Sequence, residues 1–248
     1  MRTCIRLIAF VCVLEVCSFL CPSQAAAQTE TALRPINVGV GMKVSLLGAG
    51  AEAAVPITRR TNIRGGVNFF SYDRTFDKDG VSYAGQLRFR STEAHFDWFP
   101  FGGGFHLSPG VLIYNGNRVT ANALVSGGNT FTLNDTTYAS DPSDPIHGTG
   151  KITFKKTAPM FTIGWGNLAP RHKHFVVPFE IGAIYQDAPR ASLQLSGSAC
   201  DSTGANCSAI NSDPSFQGNV AAEQNKLNHD MSPFKFYPVI SAGLGFRF

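Results

Sequence analysis

The feature that most constrains this chain is a two-residue rhythm. Ile36, Val38, Val40, Met42, Val44 and Leu46 are apolar, and between them stand Asn37, Gly39, Gly41, Lys43 and Ser45. Successive side chains of a strand point to opposite faces, so such alternation gives one apolar face and one polar or small face. At Leu47 the phase flips, and Ala49, Ala51, Ala53, Val55 and Ile57 carry the apolar set onward. A one-residue slip exchanges the faces. A single strand over the whole run would also far exceed the usual length of about five or six residues. A tight turn is therefore expected near Leu47-Gly48-Ala49-Gly50.

The rhythm recurs along the chain. It returns at Ile63, Val67 and Phe69, then at Val81, Tyr83, Leu87 and Phe89. A slip near Ser91 then puts Ala94, Phe96 and Trp98 on the apolar face. Phe105, Leu107, Val111 and Ile113 follow. Ile152 and Phe154 join Phe161, Ile163 and Trp165 after another slip. Phe175 to Tyr185 and Phe234 to Phe248 complete eight strand candidates. The connections differ in length. Residues 58–62, 100–104 and 169–174 are short turns. Residues 119–148 and 197–233 are long and polar, with a short helix possible at 220–231. If strand 1 rises from one side, the three short turns fall on that side. The long segments and the Asp77-Lys78-Asp79-Gly80 turn fall on the other.

Composition narrows the class. Of 248 residues 15% are charged and 44% hydrophobic, against a usual ~25% charged, which excludes a disordered charged tail protein. No run beyond the N-terminus approaches the ~18 apolar residues of a spanning helix. A formal charge of +4 is too small to argue for nucleic acid. Residues 1–27 read as a cleaved signal peptide: Arg2 and Arg6 precede the apolar stretch Leu7–Leu20, and Ala25-Ala26-Ala27 offers a cleavage site. Residues 28–35 read as an unstructured leader to a single barrel domain spanning 28–248. Four of the six cysteines leave with the signal. Cys200 and Cys207, in a Ser/Asn/Gly-rich stretch of an exported chain, are expected to form a disulfide worth about 2.5 kcal/mol by chain entropy.

Alternation alone does not decide whether the apolar face points into a core or out to lipid. Low charge favours lipid, as do aromatics near strand ends (Tyr72, Trp98, Phe99, Tyr114, Trp165, Phe175, Phe234, Tyr237), which match interfacial girdles. The faces opposite the apolar ones carry both signs: Lys43, Glu52, Arg64, Arg88, Arg90, Glu93, His95, Asp97, Glu180, Lys235 and Arg247. Inside a tube these can pair, whereas Arg or Lys facing lipid at mid-depth costs ~2–4 kcal/mol each. The segment Pro238–Phe248 alternates to a terminal Phe, with Phe246 two residues earlier. It resembles the last strand of Gram-negative outer-membrane barrels. With the signal and the alternating strands, the chain resembles the small OmpA/OmpX-like barrels over residues 36–248. The resemblance implies a closed antiparallel up-and-down transmembrane β-barrel of eight strands in the outer membrane. It further implies that Phe246 and Phe248 serve as an assembly signal read by the barrel assembly machinery. Outer membrane lipid and lipopolysaccharide would be the surrounding partners.

Two sites invite comparison. The lumen charges either line a narrow solute path or pair to fill an eight-stranded interior, which is just wide enough for side chains. His106 and Ser108 share a strand face, so the His could activate the Ser for acyl transfer, although no orienting carboxylate is assignable. His172 and His174 flank Lys173 in a basic turn with no further metal ligands nearby. No P-loop, GxGxxG, HExxH or CxxC motif occurs, and no cofactor, metal or nucleic acid is expected. The leading reading is a non-enzymatic outer-membrane barrel, structural, surface-interacting or narrowly conducting. Alternatives are a lipid-modifying enzyme using His106 and Ser108, or a secreted soluble barrel binding an apolar ligand.

Overall fold

The computed structural model describes residues 37–78 and 80–248. The expected signal peptide, its four cysteines and the leader at 28–35 lie outside the described residues. β1 (Gly39–Ser45) and β2 (Gly48–Pro56) form a hairpin whose turn carries Leu46 and Leu47. Gly48 has φ +113° there, a conformation L side chains rarely adopt. β3 (Thr61–Lys78) and β4 (Val81–Trp98) form a second hairpin, 18 residues on each side. Then come β5 (Phe105–Asn115), β6 (Arg118–Val125), β7 (Thr130–Leu133), β8 (Thr136–Ser140) and β9 (Ile146–Thr153). The chain continues through β10 (Ala158–Trp165), β11 (Phe175–Val176), β12 (Phe179–Tyr185) and β13 (Arg190–Ser196). It ends with β14 (Ser198–Cys200), β15 (Ser208–Ala209), helix α1 (Pro214–Asp230) and β16 (Phe236–Arg247).

Eight of these strands close an antiparallel barrel in the order β1-β2-β3-β4-β5-β10-β12-β16. β16 pairs back onto β1, with Arg247 opposite Gly39 and Ser241 opposite Ser45. Closure leaves no unpaired edge within the barrel, the condition a sheet must meet in lipid. The apolar face points outward: Met42 is 75% exposed and Leu244 56%, and Phe69, Trp165, Phe179 and Ile240 are exposed beside them. A barrel built for water has the reverse arrangement. The 57–60, 99–104 and 166–178 connections lie at one end with Gly39 and Arg247. The long excursions leave from the other, as in barrels with short periplasmic turns and long external loops.

The long segments are not loops. Above Ser91, β4 leaves β5 and takes β6 as its neighbour, with Arg88 opposite Arg118 and Val81 opposite Val125. β9 and β13 add on, so β3-β4-β6-β9-β13 rise beyond the rim as an open sheet. Residues 119–148, expected as polar loop, therefore form β6 to β8 and the start of β9. The expected single strand through 152–165 is two: β9 above the rim and β10 in the barrel. A second sheet, β15-β14-β8-β7, covers the open one.

The expected slip at Ser91 is also absent. Val81, Tyr83, Leu87, Ser91, Glu93, His95 and Asp97 lie on one face of one continuous strand. That face is apolar above the rim and ionic within the barrel. Above the rim it carries a core of Val81, Val125, Leu133, Ile146, Ala199, Ile210, Phe216 and Val220, with Tyr83, Leu193 and Leu195 packed against it.

Helix α1 closes this core. It starts at Pro214 because Asp213 accepts from the Ser215 and Phe216 amides and proline suits the first helical position. It is longer than the 220–231 segment expected. Its side chains also finish the sheet margin. Asn228 accepts from the Ala191 amide and donates to the Ala191 carbonyl, and Gln224 accepts from the Leu193 amide. These amides take the place of a strand next to β13. Cys200 and Cys207 are disulfide-bonded in the same head region.

Candidate functional site: the barrel lumen

The inward-facing side chains form three layers. At the mouth beneath the head Leu47, Leu112, Ala158, Met160, Ile184 and Val239 make a buried apolar cluster, with Tyr237 packed against it. Leu47 reaches this layer because the β1–β2 turn folds over the rim, where Tyr237 donates to the Leu46 carbonyl.

Beneath it lies the ionic layer. Arg64 Nη1 is 2.9 Å from Glu52 Oε2, its Nε is 3.0 Å from Asp97 Oδ2, and its guanidinium also pairs with Glu180. Lys43 pairs with Glu93 and lies 3.5 Å from Glu52. Asn68 donates to Glu93 at 3.2 Å and to Ser91 at 3.2 Å. His95 Nε2 stands 3.5 Å from Glu93 Oε1. All these charged groups are buried. Four carboxylates face two fixed cations and two histidines. Every carboxylate has a cation or histidine in reach, as charges withdrawn from water require.

The third layer seals the short-turn end. The 166–178 connection folds inward, and Leu168 and Ala169 are buried against Ala54. Asn167 fixes the strap by accepting from Asn62 Nδ2 at 2.8 Å and from the Ala169 amide at 2.9 Å. Inward glycines make the room: a Cβ on Gly41 would lie 2.8 Å from Leu168 Cδ1, and one on Gly245 2.3 Å. In the middle layer a Cβ on Gly164 would lie 2.8 Å from both Glu180 Cγ and His106 Nε2.

Of the eleven charged residues singled out in the sequence, the structure gathers Lys43, Glu52, Arg64, Glu93, His95, Asp97 and Glu180 in the lumen. Arg88, Arg90, Lys235 and Arg247 do not join them. Arg88 and Arg90 lie on the outward face of β4 above the rim, where Arg88 pairs with Asp73 at 2.7 Å. They were misassigned because the apolar face changes sides at the rim while the strand keeps its phase. Lys235 is exposed just before β16, at its head-side end. Arg247 faces inward at the opposite end but donates to the Pro170 and Arg171 carbonyls, so it ties down the strap.

His106 and Ser108 belong to the lumen as well. His106 Nε2 is 2.9 Å from Glu180 Oε1, and Ser108 donates to Asp97 Oδ1 at 2.7 Å. Each is bonded to the ionic layer rather than to the other, and both are buried. The nucleophile–base contact that acyl transfer needs is not made. His172, Lys173 and His174 are exposed on the strap. Phe246 and Phe248 are exposed, with ring centroids 5.3 Å apart. Sequence reading missed Asn62, Asn68 and Leu168. The inward glycines hinted at close packing, but nothing in the pattern singled out Leu168 as the residue that fills the space.

A closed eight-stranded antiparallel barrel with an apolar exterior and a filled, ion-paired interior defines the class: a transmembrane β-barrel, here carrying a folded head at one end. Comparison with protein-family models gives no match, and no curated protein matches the chain. Solved structures do resemble it. The crystal structure of CarO from Acinetobacter baumannii superposes with a TM-score of 0.54 at 22% identity, covering 86% of this chain and 98% of that one. CarO2 from the same organism gives 0.53 at 16% identity, covering 86% and 99%. At these identities the likeness is one of fold.

Proposed function

We propose that the protein is a non-enzymatic barrel of the outer membrane, closed to solutes, whose contacts are made by its head. The observation that carries this reading is the layered lumen. An ionic network lies between an apolar lid at the outer mouth and the Leu168 strap at the inner one. An eight-stranded barrel has little interior beyond what side chains fill. A solute path would have to break both apolar seals and the pairs between them. The exposed apolar band and the short-turn/long-excursion asymmetry support the outer membrane, with the head on the external side. The bonding of His106 and Ser108 to separate carboxylates supports a non-enzymatic role. The test is conductance. The refolded chain in planar bilayers is expected to give no steady current, and discrete large openings would overturn the reading.

A further inference from the structure

The outward face of the sheet above the rim carries a row of cations. Arg88 stands directly opposite Arg118, Arg118 opposite Thr153, and Thr153 opposite Arg190. One line across β4, β6, β9 and β13 thus presents three guanidiniums over about 14 Å at the usual strand spacing. Two residues along the same face, Arg90 lies nearer the barrel on β4. Lys151 lies farther from it on β9, opposite Thr120 and Ser192. Arg90, Arg118, Lys151 and Arg190 are exposed. Among the described residues, the ion pair this group makes is that of Arg88 with Asp73, whose two oxygens take both Nη atoms at 2.7 Å, so Arg90, Arg118, Lys151 and Arg190 are the cations left without a carboxylate. Four exposed cations on one face with no carboxylate paired to them favour an external anion.

Its height says which anion. Arg118 lies three residues past the end of β5, Thr153 five before β10, and Arg190 five past β12, so the row sits immediately above the barrel rim. Phe69, Tyr114, Tyr185 and Phe236 are exposed near that rim, and Arg90 is directly opposite Phe69. Aromatic belts mark the level of the headgroups. The cationic face continues the lipid-facing surface of β4, which carries Ala94, Phe96 and Trp98 below. Guanidinium groups match phosphate oxygens in a bidentate fork, which ammonium groups do not.

We infer that Arg90, Arg118 and Arg190, with Lys151 beside them, form a binding row for the phosphates of lipid headgroups in the external leaflet. This rests on the membrane reading above and adds to it a partner and named contacts.

The test titrates the refolded mature chain, in zwitterionic detergent micelles, with diphosphorylated lipid A and with the dephosphorylated lipid. The Arg90→Gln, Arg118→Gln, Arg190→Gln triple variant is expected to bind the phosphorylated lipid roughly a hundredfold more weakly, at about fivefold per cation. The dephosphorylated lipid should bind the wild type as weakly as the phosphorylated lipid binds the triple variant. Inorganic phosphate at millimolar concentration should not compete. Equal affinity of wild type and variant overturns the inference, and displacement by inorganic phosphate makes it a free-anion site instead. The heat-induced electrophoretic shift reports that the variant has folded. If the triple variant does not fold, Arg118→Gln alone is expected to lose about fivefold, with Arg118→Lys recovering part of that loss. No loss in the single variant overturns the inference equally. A wild type that fails to enter vesicles would sink the membrane reading, which is a separate result.

Discussion

The lower and upper halves of β3 and β4 are the same two strands in two solvents. Below the rim their inward face carries Arg64, Asn68, Glu93, His95 and Asp97, and their outward face carries Ile63, Val67, Phe96 and Trp98. Above it, the face continuous with the lumen turns apolar, with Val81, Tyr83 and Leu87. The face continuous with lipid turns ionic, with Asp73, Arg88 and Arg90. The backbone keeps one phase throughout. What reverses is the medium on each side: lipid gives way to water outside, and a polar lumen gives way to the apolar underside of a helix and a second sheet. Side-chain polarity follows the surroundings, not a fixed inside and outside. Charge is also used differently. In the lumen it is buried and paired, while on the head it is exposed and largely unpaired.

That contrast breaks most sharply at Arg64. Arg64→Ala leaves Glu52, Asp97 and Glu180 without their shared cation. Losing one partner of a buried pair is expected to lower stability by about 3–5 kcal/mol. Urea unfolding of the micelle-embedded chain measures it. Arg88→Ala, which removes an exposed pair, should leave the same midpoint where it was. Equal shifts in the two variants would erase the distinction between the two halves.

A smaller effect separates the head from the barrel. Phe216 is buried between the helix and both sheets, with its ring 4.6 Å from Tyr138 by centroids. Phe216→Ala is expected to cost the head about 3 kcal/mol. Limited proteolysis should then cut within 186–235 while the barrel keeps its heat-induced gel shift. Simultaneous loss of both would show one cooperative unit.

The smallest effect is a pH response confined to the head. The Asp201 carboxylate accepts from the Thr203 hydroxyl, the Ala205 amide and Asn206, which lowers its pKa from 3.8 to about 2. A depressed carboxylate stabilises the fold above its unfolded pKa and loses that contribution as pH falls through the folded value. Amide exchange in the 200–207 turn should therefore hold steady from neutral pH to about pH 4, after correction for intrinsic rates, and quicken between pH 4 and 2. An increase beginning near pH 6 would assign the turn's order to other groups.

Much of the barrel was legible because lipid demands so regular a pattern. Val40, Met42 and Val44 alternate without exception, and so do Ile240, Ala242 and Leu244, since each outward position meets acyl chains. The hairpin turn at Leu47 announced itself by the flip in phase. The head was harder to read. Val119, Ala121, Ala123 and Val125 alternate too, but beside Arg118, Thr120 and Asn122 they resemble any polar loop. Their packing surface, Phe216 and Val220, lies some ninety residues away in sequence. The lumen was half readable. Glu52, Arg64, Glu93 and Asp97 follow from alternation, whereas Arg88 and Arg90 satisfy the same rule in a different medium. Leu168 was invisible because its role depends on where a turn folds back, and glycine spacing alone does not encode that.

The Asn228 and Gln224 amides have one more consequence. A sheet that emerges from a bilayer has two flanks, and in a crowded membrane each can recruit a neighbour. On β13 those amides already occupy the positions an incoming strand would take. On the far flank the stretch of β3 from Phe70 to Lys78 has, among the described residues, β4 as its sole partner. Were copies to zip laterally, each would have this one side to offer, and a twofold contact would use it in both and end at a pair.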